Sequence, residues 1–364
     1  MKHALRFVLC GALSMVCAST AFSQRQTKLY IDDGNGNFSI LKVPAGSGGG
    51  TITLPSGTGA VSFGGGSLPS GAVVTFPDNG AHTGYTYTGT MQTIGGGTWS
   101  AGTAMPIAET GAMSATVGTN IYVIGGTGNA TAVQIYNTVG NSWTSGTAMS
   151  TAVNGASCAA VGTNIYVIGG PFPNTHLVQI YNTTTDSWST GTNMPTGENN
   201  VTAAAVGTFI YVFGDGNSPY NLVQIYNTTL NSWGTGHVMF QGEAFGQTSA
   251  VLGTNIYVFG GSTVGSLVQI YDTVGDSWTV GTSGAPAGTT NQVIDTNIYL
   301  FGGGTQIYRT TGNSWTTGTT EPTGGASAAS GVVNRKIYVF GGTTNGNATE
   351  IYSPALEVFY YTVN

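Results

Sequence analysis

Charge is what this chain has least of. Lys, Arg, Asp and Glu make up 6% of its 364 residues, against roughly 25% in ordinary globular domains. No Lys or Arg occurs between Val43 and Tyr308. Nucleic acid and anionic lipid headgroups are held mainly by basic side chains on phosphate, so neither fits this composition as a partner. Weak charge also means weak repulsion between copies, and self-association is expected to be easy. Cysteine is almost missing as well. Cys10, Cys17 and Cys158 are the only three, and the first two sit in a leader-like segment, which leaves Cys158 without an intrachain partner. His82, His176 and His237 are widely separated, with no H-x-H or H-x-x-x-H spacing for a metal. No Gly-x-Ser-x-Gly elbow precedes a helical pattern, and there is neither a phosphate loop nor a dinucleotide fingerprint in strand–helix context. Past the N-terminus no stretch approaches the ~18 apolar residues of a transmembrane helix.

What is present begins with that leader. Lys2 and Arg6 precede the apolar and small run Phe7–Cys17, and Ala21-Phe22-Ser23 offers small residues where a signal peptidase reads. The pattern predicts a signal peptide over 1–23, cleaved before Gln24, and hence a secreted, extracellular or cell-envelope protein, the periplasm included. Residues 24–97 read as a Gly/Ser/Thr-rich β extension or linker, with glycine clusters splitting short β runs. Within it, Asp32-Asp33-Gly34-Asn35-Gly36-Asn37 is a hairpin turn by pattern. Its oxygen-rich side chains only faintly suggest calcium, since the full EF-hand loop and its terminal Glu are missing.

From residue 98 to 364 the chain repeats itself. Apolar strands end in a glycine pair, or a near-match, beginning at Gly125, Gly169, Gly214, Gly260, Gly302 and Gly341. Five times a Tyr and a Trp follow, seven residues apart, from Tyr136 and Trp143 to Tyr308 and Trp315, and Tyr352 and Phe359 keep that spacing in the sixth copy. Each unit reads as four short strands. In the first copy these are Ala112–Val117 with small side chains, Ile121–Ile124, the alternating Ala132–Tyr136, and Ser142–Ser145. A four-stranded unit cannot bury both of its own faces and is stable only against its neighbours. Such units arranged radially make an all-β propeller.

The motifs "IYVIGG", "IYVFGG" and "IYLFGG", each followed by "VQIYN" or a close variant and then by "NSW" or "DSW", resemble the kelch repeat. The resemblance covers Trp99 to Asn364. It implies a kelch-type β-propeller of six blades, with seven as the alternative, and says nothing about chemistry, because the family includes oxidases, sugar epimerases and pure interaction modules. The blade count turns on Trp99. Its strand either completes the last blade or follows a divergent seventh one.

One pattern carries candidate chemistry. Glu109, Glu198 and Glu243 each stand eight residues before Val117, Val206 and Val251, where kelch repeats commonly carry arginine. The position enters the innermost strand, so the three carboxylates are expected at one mouth of the central channel, either capping loop N–H groups or holding a hard cation such as calcium or a polar ligand. Asn154 and Asn199 beside them add amides suited to sugar hydroxyls. Phe172 and Tyr220 tip the polar loops after the second and third glycine pairs and offer apolar area there. Cys158 falls at a small-residue position of an inner strand and reads as inert. The reading that follows is a non-catalytic binding or interaction module, taking protein or glycan on its loop face and needing no cofactor. The alternatives are a carbohydrate-active enzyme resembling exported sugar epimerases, for which basic residues are scarce, and a self-assembling envelope or matrix scaffold. Secreted material should start at Gln24, and intact-mass measurement of exported protein checks this.

Overall fold

In a computed structural model, the described residues are 97–354 except 154, 171–175, 199, 215–220, 243–245, 262–264, 287–288, 303 and 324. The leader, the extension over 24–97 except its last residue, and the tail with Phe359 lie outside them. Residues 99–333 and 337–352 form one compact unit. It contains six four-stranded antiparallel sheets, here blades one to six. Their innermost strands are Met113–Val117, Ser157–Val161, Thr202–Val206, Thr248–Leu252, Thr290–Ile294 and Ala329–Val333. These pack in sequence around a central axis, and the first also packs on the last, so the ring is closed. In the first five blades the order from the axis outward is the order along the chain. In blade six the outermost strand is Thr98–Ala101, contributed from the other end of the repeat region. There are six blades, and the Trp place of the sixth is filled by Trp99, not by Phe359. Trp99 lies 4.9 Å from Tyr352 and 5.4 Å from Phe301 between ring centroids.

The second strand of each blade explains why one blade cannot stand alone. Ile121-Tyr122-Val123-Ile124 is buried along its whole length, as are its counterparts in the other blades. Side chains alternate between the two faces of a sheet, so a continuously buried strand needs cover on both. Each face meets a different neighbour. Tyr122 and Ile124 pack with Ile165, Val167 and Tyr181 of blade two, while Ile121 and Val123 pack with Tyr338 and Phe340 of blade six. The core is therefore six interfaces between blades. The third strand, Val133–Asn137 in blade one, buries Val133 toward blade two and Tyr136 toward blade six, with Gln134 buried and Ile135 half-buried.

The "NSW" and "DSW" motifs close five of the six interfaces at their outer edge. Trp143 Nε1 donates to the carbonyl of Thr103 at 2.8 Å, and Asn141 Oδ1 accepts the N–H of the same Thr103 at 2.8 Å. Trp188 and Asp186 hold Thr147 in this way, Trp233 and Asn231 hold Thr192, Trp278 and Asp276 hold His237, and Trp315 and Asn313 hold Thr282. In every case the residue held lies on the segment leading in from the previous blade. The same Oδ1 also accepts the hydroxyl of the repeat tyrosine, from Tyr136 to Tyr308. These Asn and Asp residues adopt positive φ, 47° at Asn141 and 50° at Asp186, a region short amides and carboxylates tolerate better than other side chains. Hydrogen bonds from Thr147 and Tyr181 hold the Asp186 carboxyl below its usual range. Trp278 is the one repeat tryptophan that is buried, at 6% exposure. Trp278→Ala should cost about 3–5 kcal/mol, the range for deleting a packed aromatic, and Trp143→Ala less because its indole is half-exposed. Chemical denaturation of both variants checks the difference.

Candidate functional site

Repeat-to-repeat variation marks one face of the ring. The turn between first and second strands has two residues in every blade, and the turn between third and fourth has four in each of the first five. On the opposite face, the loops joining second to third strands span eight, nine, nine, eight, three and eight residues in blades one to six, and beyond their opening glycines their sequences diverge except in blades one and six, where Asn129 and Asn345, and Ala132 and Ala348, hold matching places. The segments that enter each first strand lie on this same face, because Met113 pairs with Ile124 at the start of the loop. Phe172 and Tyr220 belong to these loops by sequence. They lie outside the described residues, as do Asn154, Asn199 and Glu243.

Glu109 and Glu198 are almost fully buried, at 2% and 0% exposure. Glu109 accepts the N–H of Gly128 at 2.8 Å and of Asn129 at 3.0 Å, shaping the loop of its own blade. Its carbonyl accepts the N–H of Gly342, so the same residue fastens the glycine pair of blade six. Burial raises its pKa against the opposing pull of the two N–H groups. Glu198 repeats the arrangement. Its carbonyl takes the N–H of Gly170, and its carboxylate accepts Gln224 Nε2 at 3.2 Å. The Glu109 carboxylate turns into the loop of its blade, that of Glu198 meets Gln224, and neither residue is among those lining the channel. Strand register also refines the repeat offset: Leu252, not Val251, holds the place of Val117, so Glu243 precedes its strand end by one residue more than the other two. Among the described residues no three His, Cys, Asp or Glu side chains gather to hold a metal.

A second set of side chains, absent from the sequence reading above, fastens the segments that enter the first strands on this face. The Gln of "VQIYN" forms a two-bond clamp on the backbone of the segment that leads into its blade. Gln134 exchanges both bonds with Ile107, Gln179 with Thr151, Gln224 with Thr196 and Gln269 with Gln241, all between 2.9 and 3.2 Å. The recurring Gln inside an alternating strand was a legible signal, since a buried amide must be satisfied. In blade six the clamp is Glu350, which accepts the N–H of Thr323 at 3.1 Å.

The channel itself is a cavity of about 340 Å³ between the six first strands. Gly111, Gly155, Asn200, Gly246 and Ser327 ring its loop-face end. All five have positive φ, 55° at Asn200 and 58° at Ser327. Backbone bonds run between neighbours in this ring, from Gly111 N–H to Ser327 and from Asn200 N–H to Gly155. Deeper, hydroxyls and amides join adjacent blades. Ser114 donates to the Ser330 carbonyl at 2.7 Å, Thr202 and Ser249 share a 2.7 Å bond, Thr248 accepts Asn291, and Thr290 pairs with Ser330. Cys158 lines the wall, its thiol pushed up to about 12 by burial.

The Kelch motif family model matches residues 152–195, which is one repeat, from the approach to the first strand of blade two to just beyond its Trp188 strand. No curated protein matches the chain.

Glu350 gives a pH signature. Burial raises its pKa above the ordinary 4.5, so between 4.5 and the folded value the native state binds more protons than the unfolded one, and stability falls as pH rises. Below 4.5 both states are protonated and the contribution is full. Glu350→Gln restores the amide of the other blades. Its melting temperature should match the parent near pH 4 and exceed it at pH 8, which a pair of thermal melts across that interval reads directly.

Proposed function

We propose that this kelch-repeat propeller is an exported, non-catalytic binding module that recognises an uncharged partner, a glycan or a neutral protein surface, on the face carrying the loops between second and third strands. The propeller fold is consistent with an interaction or binding module in general. One observation carries the finer reading: the strands, the latches and both turns of the opposite face are nearly constant, while the loops of blades two to five differ from one another in length or sequence. Variable loops on a rigid scaffold are where binding residues concentrate. The buried Glu109, Glu198 and glutamine clamps support this by fixing the bases of the loops, which leaves Phe172, Tyr220, Asn154 and Asn199 as candidate contacts. The scarcity of basic and acidic groups suits a neutral partner, because an ionic one needs counter-charges at the interface.

The test is a glycan array together with a loop exchange. Shortening 171–175 and 215–220 to the three-residue connection of blade five should leave the melting temperature within a few degrees and cut binding to any array hit at least tenfold. Chromatography of the recovered glycan should find it chemically unchanged. Undiminished binding after the exchange removes the loop face from the proposal, and an altered glycan identifies an enzyme.

A further inference from the structure

Repetition makes departures visible, and the outer rim of blade four departs. Among the described residues seven large apolar side chains are exposed, and six of them, all but Val139, belong to blades three and four or to the segment joining them. Three of the six meet on one stretch of rim. Val280, 51% exposed, stands opposite Gln269 on the outermost strand. The amide of Gln269 clamps Gln241, which follows Phe240, and Trp278 donates to the carbonyl of His237, which precedes Val238. Phe240 is 58% exposed and Val238 46%. The other blades have small, polar or proline residues at these places, as blade two has Thr190, Ser150 and Ala148.

The strand beside this patch is an edge. Ser277–Gly281 is outermost in its sheet and has five residues, where the outer strand of every other blade has four. An edge presents a row of backbone N–H and C=O groups that only another strand can pair, and proteins blunt such edges with Lys, Pro or bulges. This one carries no Lys and no Pro. It reads Ser-Trp-Thr-Val-Gly, with the aromatic and β-branched residues that suit a strand.

The edge is complementary to itself. Paired antiparallel with its own copy about Thr279, it sets Val280 opposite Trp278 of the second copy, an aromatic against a β-branched residue, which is a favourable cross-strand pair. Trp278 and Val280 are two residues apart and project from the same face, the one on which Val238 and Phe240 lie. Charge agrees with this register. Asp272 and Asp276 both fall in the turn before the strand, so antiparallel pairing places the two copies' acids at opposite ends. At 3.4 Å per residue each Asp276 is then about 20 Å from its counterpart, well beyond the ~8 Å screening length.

We propose that the outer strand of blade four is a dimerisation edge: two copies of this chain pair through Ser277–Gly281 about a two-fold axis at Thr279, with Val238, Phe240 and Val280 buried between the rings. Such a contact uses the same patch on both copies, so it closes at two. It lies on the rim, apart from the loop tips, and stands whether or not the loops bind a glycan.

Sedimentation of the full chain tests it. The parent should be a dimer at about 100 μM. Val280→Lys should raise the dissociation constant at least tenfold, and Thr190→Lys, the same change at the matching place of blade two, should leave it unchanged. Thr279→Cys gives a positional readout. Residues directly opposite in an antiparallel pair have Cα atoms ~4.5–5.5 Å apart, within the span of a disulfide, so mild oxidation should link Thr279→Cys chains to one another and not Ser189→Cys chains. Should Val280→Lys not melt natively, the combined Val238→Ala, Phe240→Ser and Val280→Thr exchange, which installs the residues of blade two, replaces it. A monomeric parent overturns the proposal, as does a mass above two chains. A dimer that resists both blade-four changes, that Thr190→Lys weakens equally, or that yields no Thr279→Cys link overturns it too. The exchange of loops 171–175 and 215–220 separates the two readings: a dimer lost with the loops ends this one, while a dimer that survives it with glycan binding lost supports both.

Discussion

Everything in this ring depends on the second strand of each blade having no solvent side. Burying a run such as Ile121–Ile124 on both faces requires a blade to the left and a blade to the right, so there is no stable first or last blade until the ends meet. The hydrophobic term, roughly 25 cal/mol per Å² of apolar surface, is thus collected at six interfaces instead of in one core. The cooperative unit is the circle. That is why the closing strand comes from the start of the repeat region: Thr98–Ala101 gives blade six its outer strand and lays Trp99 across Phe301 and Tyr352. It also leaves the ring with short outer edges only, which limits strand-to-strand aggregation.

Polar groups then do, without charge, the work that salt bridges do elsewhere. Five of the six outer corners are held by an Asn or Asp that accepts both a tyrosine hydroxyl and a backbone N–H from the preceding segment, with the Trp indole donating to the same residue's carbonyl, and at the sixth Trp99 donates to the carbonyl of Thr319. Blades one, three and five use Asn, blades two and four use Asp, and the geometry is the same, so it is the acceptor oxygen that the site needs. Around the axis, serine and threonine hydroxyls join blade to blade. Such bonds are directional and insensitive to salt, and a surface built from them carries few charges to repel another copy.

The loop face inherits rigidity from these devices. Glu109 and the glutamine clamps are buried and their side chains bond backbone, while buried Glu198 accepts Gln224 through its carboxylate and Gly170 N–H through its carbonyl, so the feet of the loops are fixed while the loops themselves vary between repeats. The positive-φ ring of Gly111, Gly155, Asn200, Gly246 and Ser327 marks the boundary between strand and loop. Asn200 and Ser327 hold there a conformation that costs a side-chain-bearing residue about 1–3 kcal/mol, and neighbouring backbone bonds keep it in place.

How much of this was legible depended on the range of the interaction. Strand positions, the radial repeat and the Trp packing on an adjacent blade follow from local periodicity: "IYVIGG" names a strand buried on both faces, "VQIYN" an alternating one, and the motif Asn141-Ser142-Trp143 recurs at each latch. Repetition makes such signals unambiguous, since each copy tests the others. The sequence left six and seven blades open because the Trp99 strand could complete the last blade or follow a divergent seventh, and only the pairing of residues more than two hundred positions apart separates them. It placed carboxylates at Glu109 and Glu198 but not their direction, because whether a glutamate faces an axis or a loop depends on which backbone N–H groups lie within reach after folding. Val238, Phe240 and Val280 drew no notice in the chain. They become neighbours only when Trp278 and the Gln269 clamp have drawn the segment after blade three against the outer strand of blade four. The period of the side chains determined the fold, and the identity of each polar partner was decided by which strands the closed ring brings side by side.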